Sequence, residues 1–161
     1  MQRTLFVPFD STPSQRIGLS LGSVDLGQAL AAVARDAWTE IVARAALVIQ
    51  IEAAGPVVAD ERRLLHLLAL LVRHVLEGIP PGDPASHGLR LLARSFGAGE
   101  VRVEIRHLPR LAPVATHRSF PPADPQLASW NHIAAAFGAQ VSAEGSSLPA
   151  SVVCIDLKLV V

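Results

Sequence analysis

Apolar residues recur at the three- and four-residue spacing of an amphipathic helix in three segments, which predicts helices over about residues 25–44, 61–79 and 124–138. A side chain that can cap a helix precedes or begins each segment: Ser23 or Asp25, Asp60, and Asp124. Glycine ends the second and third segments, as is typical of helix C-termini. The second helix, which is rich in leucine, has the clearest pattern of the three.

Pairs of short apolar segments, typical of strands, follow each of these helices. We predict strands at residues 47–51 and 57–58, joined by a tight turn at Gly55-Pro56, and further strands at 89–96, 101–105, 140–144 and 151–160. In the strand at 101–105, apolar residues alternate with Arg102, Glu104 and Arg106, which places these charges on a solvent-facing side. The order of elements favours an α/β (α+β) two-layer sandwich, with a mixed, mainly antiparallel sheet of five or more strands and three helices on one face.

The composition fits one folded domain, because half of the 161 residues are hydrophobic and 14 basic residues balance 14 acidic ones. This balance argues against disorder and against a basic nucleic-acid binder, and it lowers the barrier to forming a homo-oligomer. No apolar run reaches the roughly 20 residues of a bilayer span. The N-terminal segment lacks the apolar core of a signal peptide, so we expect a cytoplasmic protein. We divide the chain into an arm or tail, residues 1–22, and a domain, residues 23–161.

Several short motifs occur in the order of a known family. They are Val24-Asp25-Leu26, Asp60-Glu61-Arg62-Arg63-Leu64, His74-Val75-Leu76-Glu77-Gly78-Ile79-Pro80, and the segments 100–106 and 133–141. In this order they resemble the ATP-binding domain shared by sensor histidine kinases and gyrase, known as the Bergerat or GHKL fold, over about residues 24–160. The resemblance implies a Bergerat-like sandwich and a place in a bacterial two-component-type pathway.

The resemblance also implies where nucleotide-binding residues should lie, and the chain departs from the family there. Two asparagines of the family's second helix correspond to Leu70 and His74, and the second of them binds the Mg²⁺ that bridges the ATP phosphates. The aspartate that accepts the adenine amino group corresponds to His107, and a stretch containing Pro109 replaces the glycine-rich turn after it. Mg²⁺ prefers oxygen ligands, an imidazole cannot replace that carboxylate, and close backbone approach needs glycine. We therefore predict no catalytic residue, no bound nucleotide or other cofactor, and no metal site.

The second helix offers a candidate partner surface on its less apolar side. On a helical wheel, one arc holds most of the leucines, and the opposite arc includes Arg63, His66, Leu70, Arg73, His74 and Glu77. An apolar centre at Leu70 ringed by charged residues is typical of a contact patch, which the proline-rich loop at residues 108–122 would extend. An ordinary solvated helix face explains the same residues equally well.

Two functions from different classes fit these observations. The preferred one is a non-catalytic kinase-like domain, or pseudokinase, that acts as a signalling adaptor by binding a response regulator, a kinase or a second copy of itself. The alternative is an active but divergent ATP-binding kinase or phosphotransfer protein. Nucleotide binding separates the two, since only the second requires it. We expect structural roles for His107 as a half-buried histidine, Trp130 as a core aromatic residue and Cys154 as a buried thiol.

Overall fold

The structure, a computed structural model, describes residues 18–52, 55–109, 125–144 and 152–160, which contain both helices and strands. In chain order the elements are β1 (Gly22–Val24), α1 (Leu26–Asp36), α2 (Trp38–Val42), β2 (Ala46–Ile51), β3 (Val57–Ala59), α3 (Glu61–Glu77), β4 (His87–Ser95), β5 (Glu100–Pro109), α4 (Pro125–Ala135), β6 (Gln140–Glu144) and β7 (Val152–Lys158). One turn of 3-10 helix lies at Pro84–Ser86, before β4.

Five strands form one mixed sheet in the order β2-β4-β5-β7-β6. Only β2 and β4 run parallel, and the other three pairs are antiparallel. β1 and β3 form a separate two-stranded sheet, and Val57 of β3 bridges Leu159 just beyond β7. The helices pack against one face of the large sheet, so the predicted two-layer fold is confirmed.

The predicted hairpin between residues 47–51 and 57–58 is wrong. β2 pairs with β4, which follows α3, whereas β3 pairs with β1. Parallel neighbours need a crossover connection, and α3 lies on the connection between β2 and β4. The alternation of apolar and polar residues in a short strand indicates which face is buried, but it does not indicate which strand lies beside it. The Gly55-Pro56 turn therefore suggested that β2 pairs with β3, and the two strands are not neighbours in the structure.

α3 supplies the centre of the core. Six of its side chains have no exposed surface: Leu64, Leu67, Leu68, Leu71, Val72 and Val75. The sheet residues Val101, Val103 and Ile105 are equally buried, as their alternation predicted. Burial of each such side chain stabilises the fold by roughly 1.5–3 kcal/mol. Asp60 caps α3 and Asp25 caps α1, which confirms both predicted helix starts.

Some predicted boundaries differ from the structure. The first helix is two helices, because α1 ends at Asp36 and α2 begins at Trp38, and the apolar spacing continues across this break. The predicted loop at 108–122 begins later, since Leu108 and Pro109 belong to β5, and residues 110–122 lie outside the described residues. Residues 1–17 of the predicted arm and Asp124 also lie outside them. β1 begins at Gly22, the last residue of that arm.

The face of the sheet away from the helices carries a buried carboxylate, which corrects the prediction that Glu104 faces solvent. Glu104 is only 4% exposed. Three arginines surround it, with Arg106 Nε at 2.8 Å, Arg90 Nη2 at 3.3 Å and Arg94 Nη2 at 3.6 Å from its oxygens. Long arginine side chains can cover a neighbour while their guanidinium groups stay partly exposed. The alternation gave the correct face for Glu104, but neighbouring side chains decide its exposure.

Replacing Glu104 with glutamine should destabilise the fold, because three guanidinium groups lose their shared counter-charge. We expect the free energy of unfolding in urea to fall by about 1–3 kcal/mol. Asp156→Asn is the matched control. Arg102 donates to Asp156 through bonds of 2.7 and 2.8 Å, but Asp156 is more exposed than Glu104, so the loss should be smaller. Equal losses in the two variants would contradict this account.

Asp60 links the start of α3 to the segment before β1. Its Oδ1 accepts the Arg63 N–H at 3.1 Å, and its Oδ2 accepts the Ser20 N–H at 2.9 Å. These bonds, the one from Ser20 foremost, hold the pKa of Asp60 below its ordinary value. Because the folded-state pKa is lowered, the stabilisation is fully present above the unfolded-state pKa of about 4 and is lost as the pH falls through the folded-state value.

Asp60→Asn should lower the thermal unfolding midpoint, since an amide keeps only one of the two acceptor oxygens. Asp25→Asn is the control, because Asp25 accepts a single backbone N–H, from Gln28 at 2.8 Å, and an amide oxygen can replace that acceptor. We expect the gap between wild type and Asp60→Asn to narrow as the pH falls from about 6 to about 3. A gap independent of pH would show that the charge of Asp60 contributes nothing.

Candidate functional site

A groove of about 1140 Å³ lies where the N-terminal half of α3, the C-terminal half of α4 and residues 18–24 meet. Its charged and polar lining includes Asp60, Arg62, Arg63 and His66 from the start of α3, and His132 from α4. The sequence predicted Arg63 and His66 as surface residues of one helix. It did not predict the groove, because α4 and residues 18–24 are far from α3 along the chain and no motif connects them.

The four positions that the family resemblance suggested for nucleotide binding are not part of the lining of this groove. None of Leu70, His74, His107 and Pro109 lines it. Leu70 is half-buried and packs against the core, and Pro109 is exposed at the end of β5, opposite His87 of β4. This groove beside α3 is therefore distinct from the nucleotide positions that the sequence suggested.

His74 lies in the contact between α3 and α4 and is only 4% exposed. Its ring meets Trp130 of α4 edge to face, with ring centroids 4.8 Å apart and the planes at 77°. The prediction that His74 is accessible is therefore wrong. On the helical wheel position 74 neighbours Leu67 at the border of the apolar arc, and α4 covers that border. The sequence of α3 alone does not contain this information.

The predicted partner surface on α3 divides into an exposed part and a half-buried part. Arg62, His66, Ala69, Arg73 and Glu77 are exposed and follow one another at helical spacing; we call these five residues the α3 stripe. Arg63 is half-buried at the groove. Because Leu70 packs against the core, the prediction of an exposed apolar centre at Leu70 is wrong. The small side chain of Ala69 occupies the middle of the exposed part instead.

His107 is paired with a second histidine. Its Nε2 lies 3.0 Å from Nδ1 of His87, so one ring nitrogen donates to the other. Burial, and after it the charge of His87, holds the pKa of His107 below its ordinary value, which keeps the ring neutral near pH 7. The predicted half-buried, hydrogen-bonded histidine is confirmed. A neutral imidazole in this bond does not offer the carboxylate acceptor that adenine recognition uses in the family.

The described parts of the chain also show where the remaining candidate residues lie and whether a metal site or a membrane span is present among them. Across these parts, no three side chains of histidine, cysteine, aspartate or glutamate come together as metal ligands. Cys154 is buried in β7 and Trp130 in the core, as predicted. No described helix is both long enough and apolar enough to cross a bilayer.

Comparison with solved structures identifies the fold, although no protein-family model and no curated protein matches the chain. The Acinetobacter baumannii histidine kinase AdeS matches with a TM-score of 0.61 at 16% identity, over 90% of this chain and 69% of that one. Full-length ShkA in complex with AMPPNP matches with a TM-score of 0.63 at 22% identity, over 89% of this chain and 32% of that one.

The histidine kinase ThkA matches both as an isolated domain and in a complex. Its catalytic domain gives a TM-score of 0.55 at 14% identity, over 87% of this chain and 96% of that domain. ThkA in complex with the response regulator protein TrrA gives a TM-score of 0.56 at 13% identity, over 88% of this chain and 42% of that one. The chain thus spans nearly the whole ThkA catalytic domain but less than half of the longer ThkA and ShkA chains. Its fold is that of the histidine-kinase catalytic domain.

Proposed function

We propose that this chain is a kinase-like domain without nucleotide binding that acts as a protein-interaction adaptor in a two-component-type signalling pathway. The observation that carries the proposal is the burial of His74 against Trp130. In the family that the sequence resembles, this helix position holds the side chain that binds the phosphate-bridging Mg²⁺. In this chain the same position contributes to the contact between α3 and α4.

Two more positions support the proposal. Leu70 is apolar and packs against the core, and His107 is neutral and bound to His87. Tight binding of a polyphosphate needs opposite charge and backbone donors that approach closely. Neither side chain supplies a carboxylate or amide oxygen for Mg²⁺ or for the adenine amino group. An adaptor function needs none of these groups, whereas a kinase needs all of them.

The α3 stripe is the proposed partner surface. Ala69 allows a partner to approach the helix closely, and the flanking charges of Arg73 and Glu77 can give orientation. Arg73 is the strongest single candidate, because a guanidinium group can stack and form two parallel hydrogen bonds. Arg62 and His66 belong both to the stripe and to the lining of the groove, so one partner can contact both features.

A response regulator is the first partner to test, because the similar kinase ThkA was solved in complex with one. A kinase and a second copy of this chain are the two other candidate partners. We assign this role to a domain at residues 23–161, preceded by an arm at residues 1–22, and place it in the cytoplasm. The zero net charge of the chain is compatible with association at this site.

The purified chain should bind no ATP. We expect Mg²⁺ with about millimolar ATP to shift the thermal unfolding midpoint no more than Mg²⁺ alone, since a ligand that binds only the folded state raises that midpoint. Pyrophosphate with Mg²⁺ is the control for general anion binding. A shift specific to ATP, confirmed by calorimetric titration, would contradict the proposal and favour the divergent kinase.

A new negative charge on the α3 stripe should weaken partner binding without unfolding the chain. For Ala69→Glu and Arg73→Glu we expect capture of response regulators from the native host to fall about tenfold or more, which is about 1.4 kcal/mol. Arg35→Glu, an exposed site on α1, is the matched control and should bind as wild type does. Unchanged binding by folded stripe variants would refute this surface.

Leu70→Asp provides a separate test of how α3 packs. Because Leu70 is half-buried against the core, a charge there should lower the unfolding midpoint, whereas Ala69→Glu at the adjacent exposed site should leave it nearly unchanged. Circular dichroism melting of the two variants measures the difference. Equal midpoints would show that Leu70 belongs to the exposed surface after all.

A further inference from the structure

Exposed apolar side chains concentrate at one edge of the molecule. Among the described residues, ten large apolar side chains are exposed, and five of them lie between positions 38 and 51: Trp38, Val42, Val48, Ile49 and Ile51. Trp38 is 54% exposed and Val48 is 51% exposed. Single exposed apolar residues are ordinary, but a group of this kind marks an interaction site. The group belongs to α2 and β2, and it shares no residue with the α3 stripe.

β2 is an edge strand whose outer side has no partner strand among the described residues. It pairs only with β4. The Glu52 N–H, just after β2, donates to the Ala93 carbonyl of β4 at 2.7 Å. Because the backbone groups of successive strand residues point to alternate sides, those of Leu47, Ile49 and Ile51 point to the open edge. The edge therefore offers a row of donors and acceptors to another strand.

The sequence of β2 lacks the features that usually protect an edge strand. Natural edges carry charged side chains, proline or a bulge that hinder pairing with a second chain. β2 reads Ala-Leu-Val-Ile-Gln-Ile, without a charged residue or proline. The strand at the opposite edge, β6, reads Gln-Val-Ser-Ala-Glu and alternates polar with apolar residues. Of the two edges of the sheet, β2 is thus the one suited to strand pairing.

A shallow groove adjoins the start of β2 and extends the apolar area. Its volume is about 470 Å³, and its lining includes Trp38, Val42, Leu47 and Pro84. Exposed tryptophan in such a place is typical of residues that contribute strongly to binding. A chain that pairs with β2 would contact this groove with its flanking residues.

We propose that two copies of this chain associate through antiparallel pairing of β2 with β2, which joins their five-stranded sheets into one. The ends of the strand are complementary in this arrangement. Arg44 precedes β2 and Glu52 follows it, and pairing centred on Val48 places Arg44 opposite Glu52 of the partner subunit. Nη1 of Arg44 donates to the carbonyls of Leu76 and Ile79 at the end of α3, and Glu52 accepts a hydrogen bond from Gln50, so the complementarity is one of overall charge at each end of the paired strands. A twofold dimer of this kind uses the same apolar surface twice.

Sedimentation velocity at chain concentrations from about 1 to about 200 μM tests the proposal, since dimerisation depends on concentration. We expect wild type to shift from monomer to dimer, and Val48→Lys and Glu52→Arg each to weaken the dimer about tenfold or more. Val160→Lys, a similarly exposed apolar site outside the edge, is the control and should dimerise as wild type does. Wild type that stays monomeric, or edge variants that match the control, would overturn the proposal.

Cross-linking tests the pairing itself and does not depend on the stability of a lysine variant. In the register centred on Val48, the two Val48 side chains form a directly opposed pair that is close enough for a disulfide. Val48→Cys should give a covalent dimer under mild oxidation, whereas Val160→Cys should not. The only native cysteine, Cys154, is buried. A covalent dimer of Val48→Cys no more abundant than that of Val160→Cys would refute this register.

Discussion

The burial of one side of α3 is the interaction on which the rest of the structure depends. α3 contacts β5 and β7 of the sheet and also α1 and α4, so its leucines join all parts of the core. Burying each leucine stabilises the fold by roughly 1.5–3 kcal/mol. The rotation of α3 about its helix axis is therefore strongly determined, because a different rotation would expose several leucines. Once that rotation is fixed, each remaining position of α3 is assigned to the sheet, to a neighbouring helix or to solvent. The different environments of His74 and Arg73, adjacent in sequence, follow from this.

Much of the fold could be predicted from the sequence because its signals are local. Asp25 and Asp60 can accept backbone N–H groups within the first turn of their helices, so their positions alone mark two helix starts. Strand alternation is also local, and it assigned Val103 to the core and Glu104 to the opposite face. For these local signals, prediction and structure agree. The break between α1 and α2 is an exception, because the apolar spacing continues across it.

The remaining features depend on neighbours that are distant in sequence. Glu104 is buried by arginines of both β4 and β5, and their length, not the alternation, covers it. β2 takes β4 as its partner across an intervening helix, which a turn between β2 and β3 cannot reveal. His74 is buried because Trp130 of α4 meets it, although α4 lies some fifty residues further on. The groove beside α3 was missed for the same reason, since three separate segments form it.

The packing of His74 and His107 bears on what can regulate the domain under the proposed function. A domain that binds a ligand only when folded gains stability from the ligand, and the bound state can then control its contacts. In this chain His74 packs on Trp130 and His107 bonds to His87, so both positions are held by contacts within the chain itself. Under the proposed function, regulation then has to come from association. A dimer joined through β2 would present two α3 stripes, and a bivalent partner would bind it more tightly than a single stripe allows, without any new type of contact.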